Sequence, residues 1–117
     1  MTVLNLAEQT QFVTIDGSEI RSILDRTNAP VKQQSLAEAT VQPGESTQRH
    51  YHKVSEEFYF ILEGNGRMEI DGEAREVKAG DAILIPAGAW HTIAAEERLR
   101  FLCCCAPPYA HEDTYFE

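Results

Sequence analysis

Apolar and polar residues alternate over short stretches of this chain, and turn-forming residues punctuate the stretches. The alternation predicts strands at Phe12–Ile15, Val31–Val41, Glu57–Leu62, Arg67–Ile70, Ala74–Val77, Ala82–Ile85, Trp90–Ala94 and Leu99–Cys105. Between them stand Asp16-Gly17, Gly64-Asn65-Gly66, Asp71-Gly72 and Ala79-Gly80-Asp81. Asp71-Gly72, flanked by Met68/Ile70 and Ala74/Val77, predicts a two-residue hairpin, since both residues tolerate φ > 0. The stretch Ser18–Arg26 fits a short helix capped by Ser18 or a strand over Glu19–Leu24, and the strand is preferred. The pattern is all-β.

Period two assigns faces. Glu57, Tyr59 and Ile61 share one side of their strand, with Phe58, Phe60 and Leu62 on the other. Both sides are largely apolar, so the strand is expected to be covered on each, and one cover can be a second subunit. Leu99, Phe101, Cys103 and Cys105 form the better core face of the last long strand, opposite Arg98, Arg100, Leu102 and Cys104.

Length and composition narrow the picture. At 117 residues the chain reads as one domain, 1–117, with a polar tail, 107–117, in which Tyr109, Tyr115 and Phe116 are candidate anchors onto the body or a partner subunit. The 43% hydrophobic content suffices for a core without staples. A net charge of -9 argues against nucleic acid or an anionic membrane as partner, because the long-range field repels both. No apolar run approaches the roughly 20 residues of a spanning helix, and the N-terminus lacks a basic, apolar leader, so a cytoplasmic location is expected. Cys103, Cys104 and Cys105 are contiguous; neighbours on a strand point to opposite faces, which excludes a normal bridge between them or convergence on one zinc ion. They read first as buried, reduced, small apolar residues, and second as a thiol lining a pocket.

The chemistry concentrates in three histidines and a glutamate. His50 and His52, one residue apart, project to the same side of an extended segment, whereas a helix would need a spacing of three or four. The Val54-Ser55-Glu56 bend lets Glu57 return on a neighbouring strand. His91 follows the tight turn Pro86-Ala87-Gly88 and supplies a third imidazole. Three neutral nitrogens and a carboxylate suit a divalent first-row transition metal (iron, manganese, nickel or zinc), and an octahedral ion would keep two positions open.

These residues stand in two patterns that resemble the cupin superfamily. Gly44, His50, His52, Glu57 and Gly64 match G-x5-H-x-H-x3-4-E-x6-G; Glu56 would fit the shorter spacing but misses the gap to Gly64. Gly80, Pro86, Gly88 and His91 match G-x5-P-x-G-x2-H-x3-N, with Ala95 in place of the final asparagine. The resemblance spans Gly44–Gly64 and Gly80–Ala95. It implies a double-stranded β-helix, a jelly-roll-like barrel holding the metal, and a homodimer that can share an N-terminal strand.

Around the ligands, Gln48 has the parity to face the pocket, and Tyr59 shares the face of Glu57; these two are the candidates for proton handling. Arg49, Tyr51 and Trp90 should point away. Met68, Ile70, Ile83, Ile85, Ile93 and Phe101 are candidate walls or core, Asp81 a turn residue, and His111 a surface or subunit-contact residue outside either motif. The functional expectation is a small-molecule enzyme with dioxygenase-type chemistry, or with isomerase, lyase or decarboxylase chemistry through an enolate. A non-catalytic ligand-binding or sensor barrel is the alternative, and a purely structural barrel the third.

Overall fold

The computed structural model describes all 117 residues as eleven strands and two 3-10 turns, Leu6–Glu8 and His111–Asp113. In chain order the strands are β1 (Phe12–Val13), β2 (Glu19–Leu24), β3 (Ser35–Val41), β4 (His50–His52), β5 (Glu56–Glu63), β6 (Asn65–Ile70), β7 (Glu73–Lys78), β8 (Ala82–Ile85), β9 (His91–Ala95), β10 (Leu99–Ala106) and β11 (Thr114–Phe116). They form two antiparallel sheets, β1-β2-β3-β10-β5-β8 and β11-β4-β9-β6-β7. The chain passes repeatedly from one sheet to the other between β3 and β10, which produces the expected double-stranded β-helix. No helix is long and apolar enough to cross a membrane.

The inward faces meet in one core. Ile61, Ile85, Leu99 and Phe101 come from the first sheet, and Met68, Val77 and Ile93 from the second, all buried. Burying such a side chain contributes about 1.5–3 kcal/mol, and this apolar contact holds the sheets together. Inward Glu57, Tyr59 and Ile61 of β5 are buried as the alternation requires. The opposite side is not covered within one chain: Phe58 is 52% exposed, Phe60 43% and neighbouring Leu84 54%.

The hairpin at Asp71-Gly72 forms with φ of 48° and 83° and pairs Ile70 with Glu73. Asp71 also reaches across to Trp90. Its N–H donates to the Trp90 carbonyl at 2.8 Å, and its Oδ1 accepts the Trp90 N–H at 2.9 Å. This exchange ties Trp90 to the hairpin, so β9 begins at His91 rather than at Trp90.

Other boundaries move for equally local reasons. β3 starts at Ser35 because the exposed run Lys32-Gln33-Gln34 interrupts the apolar alternation. Ser18–Arg26 does supply a strand, β2, which pairs with β3. Residues 107–117 are not a loose tail. Asp113 accepts the N–H groups of Val54 at 3.0 Å and Ser55 at 3.0 Å, and β11 then pairs with β4 in the register Thr114↔His52, Tyr115↔Tyr51 and Phe116↔His50. The C-terminus thereby becomes the edge of the second sheet, beside the candidate ligands.

Gly64 and Gly72 both have positive φ but different surroundings. A Cβ at Gly64 would lie 2.0 Å from the Arg98 carbonyl oxygen, whereas one at Gly72 meets open space. Gly72→Ala should therefore cost only the left-handed penalty of about 1–2 kcal/mol. Gly64→Ala adds a backbone collision and should cost clearly more, with a correspondingly lower urea midpoint. Equal midpoints for the two variants would contradict this account.

Candidate metal centre

β4 is short and enters the second sheet with alternating faces: His50 and His52 are buried and Tyr51 points outward. Outside, Tyr51 stacks on Tyr115 at 5.0 Å and meets Trp90 edge-on at 4.7 Å, and Arg49 lies over the Trp90 ring at 4.8 Å. These contacts put Arg49, Tyr51 and Trp90 on the outer surface, as their parity predicts. His50 pairs directly with His91 across β4 and β9. Glu57 reaches the same place from β5 in the facing sheet.

The imidazoles converge. Ring centroids are 4.3 Å apart for His50–His91, 5.1 Å for His50–His52 and 5.5 Å for His52–His91, and one nitrogen from each lies within 4.8 Å of the others. Each Nδ1 faces an oxygen. His50 Nδ1 is 2.7 Å from the Gln48 carbonyl, and His91 Nδ1 is 3.0 Å from the Ala89 carbonyl. A carbonyl only accepts, so both Nδ1 atoms carry the proton and both Nε2 atoms keep a lone pair when the rings are neutral. His52 Nδ1 is 3.3 Å from the Thr114 hydroxyl, which itself donates to the Ala110 carbonyl at 3.2 Å and so is free to accept. Oxygen partners on the far nitrogen orient ligating histidines in this way.

Glu57 Oε1 lies 3.3 Å from His52 Nε2 and 3.6 Å from His91 Nε2. Glu57 Oε1 and His91 Nε2 are buried yet lack a hydrogen-bond partner. Leaving such groups bare costs free energy, and a cation among them would satisfy both. The donor set of three nitrogens and one carboxylate oxygen fits a divalent first-row transition metal.

Burial alone would push the Glu57 carboxyl up, but the adjacent His52 and His91 imidazoles overcome it and hold it at about 2. Burial lowers His52, and Glu57 more than offsets that, leaving it raised. His50 is lowered by burial and by His91.

His50, His52 and Glu57 of the cluster line a cavity of about 370 Å³. Its apolar wall comes chiefly from Phe12, Ile15, Ile20, Ala37, Ala39 and Phe101. Of the wall candidates read from sequence, only Phe101 lines it. Met68, Ile85 and Ile93 are core, with Ile70 and Ile83 packed against them. Alternation fixes the face of a strand, not its position along the barrel: Met68 and Ile93 pair with each other one inward position beyond the Ile70–His91 pair.

Tyr59 does line the cavity, with its ring 4.5 Å from that of Phe101. Burial, then the Glu57 charge, pushes its hydroxyl well up, so it stays protonated. Gln48 does not line the cavity and serves through its main chain. It precedes β4, its N–H donates to the Asp16 carbonyl at 2.8 Å, and its own carbonyl orients His50. Strand parity therefore does not extend back to it.

Three further residues outside the two motifs line the cavity: Cys103, Cys105 and Tyr109. Cys103 and Cys105 line the cavity while Cys105 is buried and Cys103 packs against the core, so both readings hold for them; both are free thiols. Burial pushes the Cys103 thiol well up. Tyr109 meets the His52 ring edge-on at 5.9 Å, and its hydroxyl is 3.0 Å from His111 Nδ1. His111 is exposed, as expected, and stands at the cavity rim. Ala95 meets its neighbours through its main chain, bonding Gly44 and Glu45 at 2.9 Å each.

A family model described as "Cupin domain" matches residues 37–105. The chain is 49% identical over 105 residues to the uncharacterized protein MJ1618 of Methanocaldococcus jannaschii, covering 88% of this chain and 84% of that one. It is 40% identical over 82 residues to dimethylsulfoniopropionate lyase DddW of Ruegeria pomeroyi, covering 69% of this chain but only 53% of the lyase. Among solved structures, a predicted oxalate decarboxylase of Thermotoga maritima superposes with a TM-score of 0.77 at 26% identity, covering 90% of this chain and 98% of that one.

Two measurements test the centre. His52→Ala and His91→Ala should each abolish stoichiometric metal binding while far-ultraviolet dichroism stays that of the folded barrel, because the apolar core does not depend on the ion. Unchanged affinity at one metal per chain in either variant would refute the ligand set. In metal-free protein, Glu57 contributes stability that is fully present above its ordinary value of 4.5 and lost as pH falls through about 2. Urea melts of metal-free Glu57→Gln should therefore show a shallower acid loss across that window than the parent.

Proposed function

The chain belongs to the cupin family, and from that premise we propose that it is a metal-dependent lyase acting on a small oxygen-bearing molecule. His50, His52, Glu57 and His91 would hold a divalent iron, manganese, nickel or zinc ion. The observation that carries this reading is the pair of buried, unpartnered atoms, Glu57 Oε1 and His91 Nε2, beside a cavity with apolar walls that Glu57, His50 and His52 line. Such an ion supplies positive charge that favours a carboxylate or a developing enolate on the substrate.

The chain's own groups divide the remaining work. Phe12, Ile20, Ala37 and Phe101 exclude water and leave room for a small organic molecule rather than a polymer. Tyr59, kept protonated by burial and by Glu57, donates its hydroxyl to a substrate oxygen or leaving group. The backbone carbonyls of Gln48 and Ala89 keep His50 and His91 from turning away.

A lyase is the reading we prefer because the two relatives above with a stated activity are called a lyase and a predicted decarboxylase. The chain spans about half the length of that lyase, so its particular substrate is a test compound here and not an assignment.

Protein loaded in turn with each metal should turn over one member of a panel of β-substituted and β-keto carboxylates, including dimethylsulfoniopropionate, and a chelator should abolish turnover. Tyr59→Phe should lower kcat by about 100-fold with metal content unchanged. Ligands that raise Tm without being converted, across the whole panel, would replace this reading with a sensor barrel.

A further inference from the structure

Cys105 of β10 stands directly opposite Glu57 of β5 in the register of the first sheet, so both side chains point inward at the same level. The thiol is 2% exposed, and its S–H donates to Glu57 Oε2 at 3.2 Å. The other carboxylate oxygen, Oε1, is the one turned toward His52 Nε2 and His91 Nε2, and it has no hydrogen-bond partner. The two oxygens thus have separate surroundings: one is engaged by sulfur on the wall, the other is bare and aimed at the imidazoles.

We propose that Cys105 is a positioning residue that confines Glu57 to one-oxygen ligation and thereby keeps a coordination position open for substrate. The inference rests on the metal reading above. A carboxylate left free can swing to bind through both oxygens, since carboxylates ligate in mono- or bidentate fashion. With three imidazoles already committed, a chelating Glu57 would fill a fifth position of an octahedral ion and leave one open instead of two. A thiol donor suits the task. It is a weak donor that engages Oε2 without drawing Oε1 away from the imidazoles, and it is small enough to sit beside Glu57 on the inward face. Hydrogen bonds to ligating carboxylates tune metal sites in just this position.

Water-proton relaxivity of Mn(II)-loaded protein counts the open positions, because each exchanging water contributes to it. Competition against a chelating indicator gives the Mn(II) affinity on the same samples. Cys105→Ser, which keeps a donor, should match the parent in both. Cys105→Ala should lose roughly half of the inner-sphere relaxivity as Glu57 takes a second position. Cys105→Val, close to cysteine in volume and without a donor, should repeat that loss and guards against a cavity effect in the alanine variant. Relaxivity and affinity equal to the parent in both Cys105→Ala and Cys105→Val would overturn the proposal. A parent protein that binds no Mn(II), iron, nickel or zinc would instead overturn the metal reading beneath it.

Discussion

The burial of Glu57 opposite three imidazoles is the constraint on which the rest of the molecule turns. An ionised carboxylate inside a small barrel is costly unless it is paired. Here the pairing comes from the facing sheet: β5 contributes the carboxylate, β4 and β9 the histidines. The two sheets must therefore close enough at this level to bring Glu57 Oε1 to 3.3 Å from His52 Nε2 and 3.6 Å from His91 Nε2. The apolar core of Ile61, Leu99, Phe101 and Ile93 sets that separation. Core and site are two ends of one inter-sheet space, and β5 lines both, with Ile61 in the first and Glu57 in the second.

Holding the imidazoles in one tautomer is the second requirement, and main-chain groups meet most of it. Gln48 and Ala89 present carbonyls at positions i−2 from His50 and His91, just where each strand begins. A carbonyl cannot donate, so the pattern leaves no ambiguity about which nitrogen faces inward. The arrangement also explains why Pro86 and Gly88 precede His91: their turn must end just before it for the Ala89 carbonyl to point back. Trp90, locked to Asp71, fixes the start of β9 from the other side.

Much of this was legible in the sequence because turns and alternation are local signals. Asp71-Gly72 announces its hairpin, and the spacing of His50 and His52 requires an extended segment. Glu57 is distinguished from Glu56 by the position of Gly64. What escaped has a common physical origin: it depends on which strands become neighbours. Cys105 reads as packing until its register opposite Glu57 is known. Gln48 has inward parity on paper, yet strand geometry begins only at His50. Met68 and Ile93 have the right face and lie at the wrong level of the barrel.

The C-terminal segment is the strongest case of that non-local dependence. Its composition is polar, and nothing in His111-Glu112-Asp113-Thr114 resembles a strand. Asp113 nonetheless accepts the N–H groups that the bend at Val54-Ser55 leaves free, and this anchors the segment beside β4. Once anchored, β11 supplies what β4 lacks. A three-residue strand paired with β9 only at His50 has almost no ladder of its own; three residues of β11 pair with it along its full length. Thr114 then orients His52, and Phe116 covers His50 at 5.5 Å. Two of the three histidines thus depend for orientation or cover on the last residues of the chain. Any change that releases Asp113 should disturb the metal centre before it disturbs the core, because the core residues all lie between β3 and β10.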